Sequence, residues 1–229
     1  MTSVAPSAPV VLVPGRWHTP HHFGPLRAVL RQHGVTVHTP WLQRGSLAAD
    51  TAHVQRLVDA LPEPPVVLGH SYGGSVATGL HGVAHLVYVA GFVLAEGEST
   101  ADMGGTSALL AAAVAESHDG TTRLLPERAA DVLYHDSPDD LAARAVSWLR
   151  PQGPGYGRAR PVRHAWRETP STYLVCGSDR ALDPEMQRAM AARCTGRHEW
   201  PVGHCPMLSR PDLVTGLLLG VNARRADGG

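Results

Sequence analysis

The chain contains no lysine and no isoleucine among its 229 residues. Without lysine, a Schiff base, a Ser–Lys dyad and a P-loop that binds phosphate are all excluded. Its three cysteines, Cys176, Cys194 and Cys205, match no zinc-ligand spacing and do not indicate a disulfide framework. Acidic and basic residues balance at 20 each, so no strong field of one sign attracts nucleic acid or an anionic membrane.

Long apolar runs are also missing, because the longest is far shorter than a membrane span. The segment MTSVAPSAPV lacks a basic region followed by an apolar run, so it does not predict a signal peptide. The hydrophobic fraction of 43% and the charged fraction of 17% are ordinary for a globular domain. We therefore expect a cytoplasmic protein, a monomer or homodimer, with no nucleic-acid and no membrane partner.

Short apolar runs alternate with amphipathic helical patterns along much of the chain. Strands are predicted at residues 10–13, 35–38, 65–68, 85–90, 172–176 and 198–201. This order is typical of βαβ units, and strands that are apolar throughout suit a sheet covered on both faces. The sequence predicts an α/β protein with a mostly parallel central sheet of about six strands and helices on both faces.

The alternation stops between residues 94 and 168, where the sequence predicts helices near 107–116, 126–134 and 138–149 and no strand. We interpret residues 94–168 as a small helical cap over the strand ends. Residues 1–93 and 169–229 then form the core. The alternative is a helical bundle at the domain edge that has no gating role.

The sequence Gly69-His70-Ser71-Tyr72-Gly73 is a G-x-S-x-G motif that lies between a predicted strand and a predicted helix. In that context it is typical of a sharp strand-to-helix turn that exposes a nucleophilic serine above the sheet. Its glycines allow the chain to cross itself closely. The motif predicts Ser71 as a nucleophile, and the alternative is a glycine-rich turn that Ser71 merely caps.

A serine nucleophile needs a base, and that base needs an orienting group. The chain order of serine, acid and histidine selects Asp179 and His204, because each follows a predicted strand. The alternative for Asp179 is a helix cap or an ion pair with Arg180. Asp183 competes as the acid, although its place before Pro184 is typical of a helix N-cap.

An oxyanion formed at the serine needs backbone N–H donors. We expect them from Tyr72, directly after the nucleophile, and from Arg16 in the loop after the first strand, with Trp17 as the alternative. Further candidates for substrate contact, which ordinary packing explains as well, are Trp17, His18, His70 and Trp148. His18, His21 and His22 lie close together without a carboxylate or cysteine at ligand spacing, so we predict no metal and no cofactor.

Four segments resemble the small α/β-hydrolases that include plant methylesterases, hydroxynitrile lyases and related bacterial esterases. They are VLVPGRWHTPHHFGPLRAVL, GHSYGG, PSTYLVCGSDRALDPEMQRAMA and GHCPMLSRP. The resemblance implies the α/β-hydrolase fold and esterase activity. It has two departures: Pro14 replaces a usual histidine, and Cys205 stands where the family's lyases carry lysine after the catalytic histidine. Cyanohydrin cleavage by that mechanism is therefore not expected.

Together these patterns predict a serine hydrolase that cleaves a small ester or related acyl compound through an acyl-enzyme. The same triad also suits lactone opening, lactonisation or acyl transfer in a biosynthetic pathway, so the expected partner is a small-molecule ester or lactone. A receptor-like protein that binds ligand with little turnover is the alternative of another class. A pure binder has no chemical need for Ser71, Asp179 and His204 together.

Overall fold

The computed structural model describes residues 8–42 and 45–227. Residues 1–7, on which most of the signal-peptide prediction rests, lie outside the described residues, as do 43–44 and 228–229. Within the two described ranges, every helix is too short or too polar to cross a lipid bilayer.

The centre of the molecule is a six-stranded sheet in which all neighbouring strands are parallel. In chain order the strands are β1 (Val10–Val13), β2 (Val37–His38), β3 (Val66–His70), β4 (His85–Val89), β5 (Val114–Glu116), β6 (Thr122–Leu124), β7 (Ser171–Cys176) and β8 (Gly196–Trp200). The order across the sheet is β2-β1-β3-β4-β7-β8, and β5 pairs with β6 elsewhere. The predicted α/β fold with about six parallel strands is confirmed.

Helices cover both faces of this sheet, as the apolar strands predict. They are α1 (Gly24–Gln32), α2 (Leu47–Asp59), α3 (Tyr72–Thr78), α4 (Thr100–Met103), α5 (Ala108–Ala113), α6 (Pro126–Leu133), α7 (Asp139–Ser147), α8 (Pro184–Ala191), α9 (Pro206–Ser209) and α10 (Pro211–Asp227). Alternate residues of β1 enter opposite cores: Val10 and Leu12 pack with α1 and α10, and Val11 and Val13 pack with α2, α3 and α8. Burial on both faces keeps the sheet rigid beneath its strand ends.

The segment between β4 and β7 differs from the prediction of helices alone. Helix α5 ends at Ala113, and β5 and β6 form an antiparallel hairpin, so the predicted helix through Glu116 and the predicted absence of strands are wrong. The hairpin turns at Gly120, whose φ of 77° suits glycine. The Asp119 side chain accepts a hydrogen bond from the Thr121 N–H. The Asp119-Gly120 pair was the sequence signal for this turn.

Candidate active site

Ser71 occupies the sharp turn between β3 and α3. Its φ of 52° and ψ of −121° are strained for a residue with a side chain. A Cβ on Gly69 would lie 2.6 Å from the Gly73 carbonyl oxygen, and one on Gly73 would collide with the Val13 carbonyl. Only glycine fits these two crossings, so the packing of β1 against α3 holds the serine in its strained conformation.

Asp179 and His204 form a buried hydrogen-bonded pair at the same edge of the sheet. Asp179 follows β7 and His204 follows β8, and Asp179 Oδ2 lies 2.7 Å from His204 Nδ1. Asp179 Oδ1 accepts the Ala181 and Leu182 backbone N–H groups at 2.7 Å and 3.0 Å. A carboxylate at Nδ1 favours the tautomer that is protonated there, which leaves Nε2 with the lone pair of a general base.

His70 connects the serine turn to the histidine loop. Its Nε2 lies 3.0 Å from the His204 carbonyl oxygen, and the two rings are 4.8 Å apart. Burial, with a further contribution from His204, lowers the pKa of His70 well below its usual value. A neutral His70 adds no positive charge beside His204.

Gln187 on α8 holds the Asp179 carboxylate in place, and sequence reasoning missed this glutamine. Its Nε2 donates to Asp179 Oδ2 at 2.8 Å and to the Leu182 carbonyl at 3.0 Å. Its Oε1 accepts the Cys176 backbone N–H at 2.9 Å. A glutamine within a helix carries no distinctive sequence signal, because this role depends on how α8 packs against the end of β7.

Asp136, in the segment between α6 and α7, is a second residue that sequence reasoning missed. Its Oδ2 accepts the Gly203 backbone N–H at 2.6 Å and the Ser209 hydroxyl at 2.9 Å. These contacts tie the loop that carries His204 to a segment far away in sequence. The position of His204 therefore depends on residues outside the three sequence motifs.

Replacing Gln187 with methionine is expected to lower the free energy of unfolding by about 1–3 kcal/mol, because the buried Cys176 N–H loses its acceptor. Methionine has a similar volume, so the change tests the hydrogen bonds rather than a cavity. Urea unfolding measures the difference. Gln55→Met is the matched control, because Gln55 makes three comparable hydrogen bonds in an exposed setting. Equal losses in the two variants would contradict the role of Gln187.

A cavity of about 280 Å³ opens at Ser71. Its apolar walls come from Trp17, Phe92, Leu110, Val114, Tyr156 and Leu182. Tyr72 and Arg16, the expected oxyanion donors, also line it, and Trp17 adopts a positive φ of 62°. The Tyr72 hydroxyl points to Asp50 at 2.9 Å. The cavity suits a small, largely apolar molecule with one polar group near Ser71.

Of the predicted substrate contacts, Trp17 lines this cavity, whereas His18, His70 and Trp148 are not among its lining residues. His18 lies deeper, with its Nε2 3.2 Å from the Tyr134 hydroxyl and 3.4 Å from Cys205 Sγ. Trp148 packs against the rings of His21 and His22. Asp183, the competing acid, caps α8 by accepting the Glu185 N–H at 2.8 Å.

The arrangement of titratable groups offers no metal centre in the part of the chain that the structure describes. His22 is buried, and its Nε2 lies 3.0 Å from the Ala145 carbonyl oxygen. The three cysteines are free thiols. The reactive groups near the cavity are thus the serine hydroxyl and the histidine–carboxylate pair.

Known proteins resemble this chain over nearly its whole length. The model of the alpha/beta hydrolase family matches residues 10–217. The alpha/beta hydrolase nvfD of Aspergillus novofumigatus is 30% identical over 238 residues, which cover 91% of this chain and 94% of that protein.

Two solved structures share the fold. A pyrethroid hydrolase from Sphingobium faniae JZ-2 superposes with a TM-score of 0.84 at 20% identity, covering 96% of this chain and 99% of the other. The methylesterase MES16 from Arabidopsis superposes with a TM-score of 0.75 at 17% identity, covering 93% and 98%. The α/β-hydrolase family, to which four short segments pointed first, is confirmed, and the methylesterase shares its fold with this chain.

Proposed function

Because the chain belongs to the α/β hydrolase family, we propose that it is a serine hydrolase that cleaves a small ester through an acyl-enzyme. One observation carries the proposal: a strained serine lies at the edge of an apolar cavity, and its neighbour His70 contacts the buried His204–Asp179 pair. A turn held in this conformation stores strain that ordinary packing does not require.

In the proposed reaction, Ser71 Oγ attacks the ester carbonyl while His204 Nε2 takes its proton. Asp179 stabilises the imidazolium that forms. The backbone N–H groups of Tyr72 and Arg16 donate to the developing oxyanion, and such a donor contributes roughly 3–4 kcal/mol to the transition state. The tetrahedral intermediate then expels the alcohol, which takes the proton from His204. Water, activated by the same imidazole, releases the acid.

The cavity limits the substrate to a small acyl compound. Its volume of about 280 Å³ lies near the lower end of the range for ligand pockets. Thr100, Leu110 and Tyr156 contribute to its walls, which supports residues 94–168 as a cap over a core of residues 1–93 and 169–229. A lactone is a cyclic ester, so the same steps open it. Lactonisation is the reverse reaction, and acyl transfer results when an alcohol other than water attacks the acyl-enzyme.

We expect the protein to hydrolyse p-nitrophenyl butyrate and to lose that activity on reaction with a fluorophosphonate. The probe phosphonylates a serine that a neighbouring base activates, so one label per chain is expected at Ser71. Peptide mapping by mass spectrometry locates it, and heat-denatured protein is the control. Labelling at a different serine would refute the nucleophile. Tight ligand binding with no turnover and no labelling would favour the receptor-like alternative.

A further inference from the structure

Arg16 is the one residue with a full charge among the described residues that line the cavity. It directly follows Gly15, where an added Cβ would lie 3.0 Å from Ser71 Cβ. The backbone of Arg16 is thus close to the serine, and its side chain reaches along an otherwise apolar wall. A cation at this position is unnecessary for cleaving a neutral ester.

The described residues use little of the hydrogen-bonding capacity of the Arg16 guanidinium. Its Nη2 donates to Thr122 Oγ1 at 2.9 Å, and the group lies 4.6 Å over the Trp17 ring. Its Nε is buried and has no hydrogen-bond partner among the described residues. No carboxylate in the same part of the chain lies within ion-pair distance. A guanidinium has five N–H donors. Thr122 takes one of them and the Nε–H is enclosed, which leaves the other N–H groups of Nη1 and Nη2 for a ligand.

Thr122 cannot supply the missing acceptors. Its hydroxyl oxygen already accepts from Arg16 and from Trp17 Nε1 at 3.1 Å, and it donates to the Gln152 carbonyl at 3.4 Å. A hydroxyl has one donor and two acceptor positions, so these contacts use its full capacity. The hydroxyl orients the guanidinium and leaves its charge uncompensated.

Partial burial makes this charge unfavourable. Desolvation lowers the pKa of Arg16, and the more distant Glu116 raises it in part. Arginine keeps its proton in proteins, so the group stays cationic and gains from a nearby anion. A carboxylate fits best, because its two oxygens match the planar fork of the guanidinium.

We propose that Arg16 binds a carboxylate carried by the substrate, so that the ester cleaved at Ser71 is anionic, such as the monoester of a dicarboxylic acid. This inference rests on the proposed function and names its substrate class. Arg16 and Ser71 line the same cavity, so one small molecule can place its carboxylate at the guanidinium and its ester at the serine.

Two pairs of esters test the proposal. In the first pair, monomethyl glutarate carries a terminal carboxylate on its acyl part where methyl pentanoate has a methyl group. In the second pair, 4-acetoxybutanoate carries a terminal carboxylate on its alcohol part where butyl acetate has a methyl group. We expect kcat/KM to favour the anionic member of at least one pair. Arg16→Gln is expected to lower that preference about 10- to 100-fold, as for a lost hydrogen bond to a charged group.

The ratio within a pair separates charge recognition from damage to the oxyanion loop. If Arg16 served only to hold the loop through Thr122, Arg16→Gln would lower the activities on the anionic and the neutral ester alike. The ratio of the two would then be unchanged. Arg123→Gln is the matched control, because Arg123 is exposed on β6 beside Thr122 and carries the same charge. Its ratio is expected to equal that of the unaltered protein.

A binding measurement keeps this inference separate from the hydrolase proposal. Calorimetry with monomethyl glutarate and 4-acetoxybutanoate uses Ser71→Ala, which cannot turn the esters over, and the Ser71→Ala/Arg16→Gln double variant. We expect at least tenfold weaker binding of one ester in the double variant. The carboxylate site would be overturned if the two variants bound the esters equally or not at all and if Arg16→Gln left the kcat/KM ratios unchanged. Ser71 could still be the nucleophile in that case.

Discussion

Replacing Ser71 with alanine is expected to lower kcat for p-nitrophenyl butyrate about a millionfold, the effect of removing the nucleophile of a serine hydrolase triad. His204 and the oxyanion donors would remain in Ser71→Ala, but no atom would be left to form the acyl-enzyme. A small residual rate is expected because binding and oxyanion stabilisation persist. Steady-state kinetics, with protein free of contaminating esterase, measure the ratio.

Ser75→Ala is the matched control for this prediction. Ser75 lies one turn further along α3, is buried, and its Oγ has no hydrogen-bond partner among the described residues. Its removal is expected to leave kcat within about twofold, because Ser75 does not line the cavity and surface or uncoupled changes cost little. Thermal unfolding of both variants checks that the fold is intact. If Ser71→Ala kept more than about one per cent of the activity, Ser71 would not be the nucleophile.

Acidification is expected to destabilise the fold, because His22 and His70 are buried and His18 is half-buried, all as neutral groups behind the loop that carries His204. Burial lowers the pKa of His22 to about 4. Burial is also the main cause that lowers the pKa of His18 and of His70 well below the usual value. Tyr134 and Cys205 face this cluster, and burial raises the pKa of both. They therefore supply no negative charge that would favour a protonated imidazole.

The folded-state pKa of each of these histidines lies below its unfolded value of about 6.5, so the unfolded chain binds more protons as the pH falls. Stability is therefore complete above about pH 6.5 and decreases below it, until the folded pKa is reached. His22, whose folded pKa is about 4, is expected to cost about 2 kcal/mol between pH 7.5 and pH 5, and His18 and His70 add to this loss. Even the contribution of His22 alone is a large fraction of the stability of a typical domain.

Urea unfolding at a series of pH values measures this loss directly. The free energy of unfolding is expected to fall as the pH is lowered from 6.5 to 5, and His22→Gln should reduce the slope near pH 5 by about 1 kcal/mol per pH unit. Gln retains hydrogen-bonding groups and does not titrate; His18→Gln is the second variant if His22→Gln does not fold. His118→Asn, at an exposed position, is expected to leave the slope unchanged. A free energy of unfolding that stays level from pH 7.5 to pH 5 would disprove the buried neutral cluster.

Much of the fold could be predicted because its signals are local. The runs at Val10–Val13 and Val66–Leu68 are apolar throughout, and the structure buries every residue of the strands that contain them, Val10–Val13 and Val66–His70. The order of strands and helices then restricts the sheet to a parallel, doubly covered one. The β5–β6 hairpin replaces the end of a predicted helix, because the alanine-rich residues before it are good helix formers and mask the turn signal of Asp119-Gly120.

The candidate site divides in the same way. The sequence alone determined the serine turn and the order of Ser71, Asp179 and His204, because short motifs and strand ends specify them. Only the tertiary structure decided that Gln187 and Asp136 hold this site and that His22 is buried. It also decided that Arg16 lines the cavity with no anionic partner among the residues that the structure describes. These features arise between residues far apart in the chain, and burial and hydrogen bonding at such contacts depend on how every element packs together.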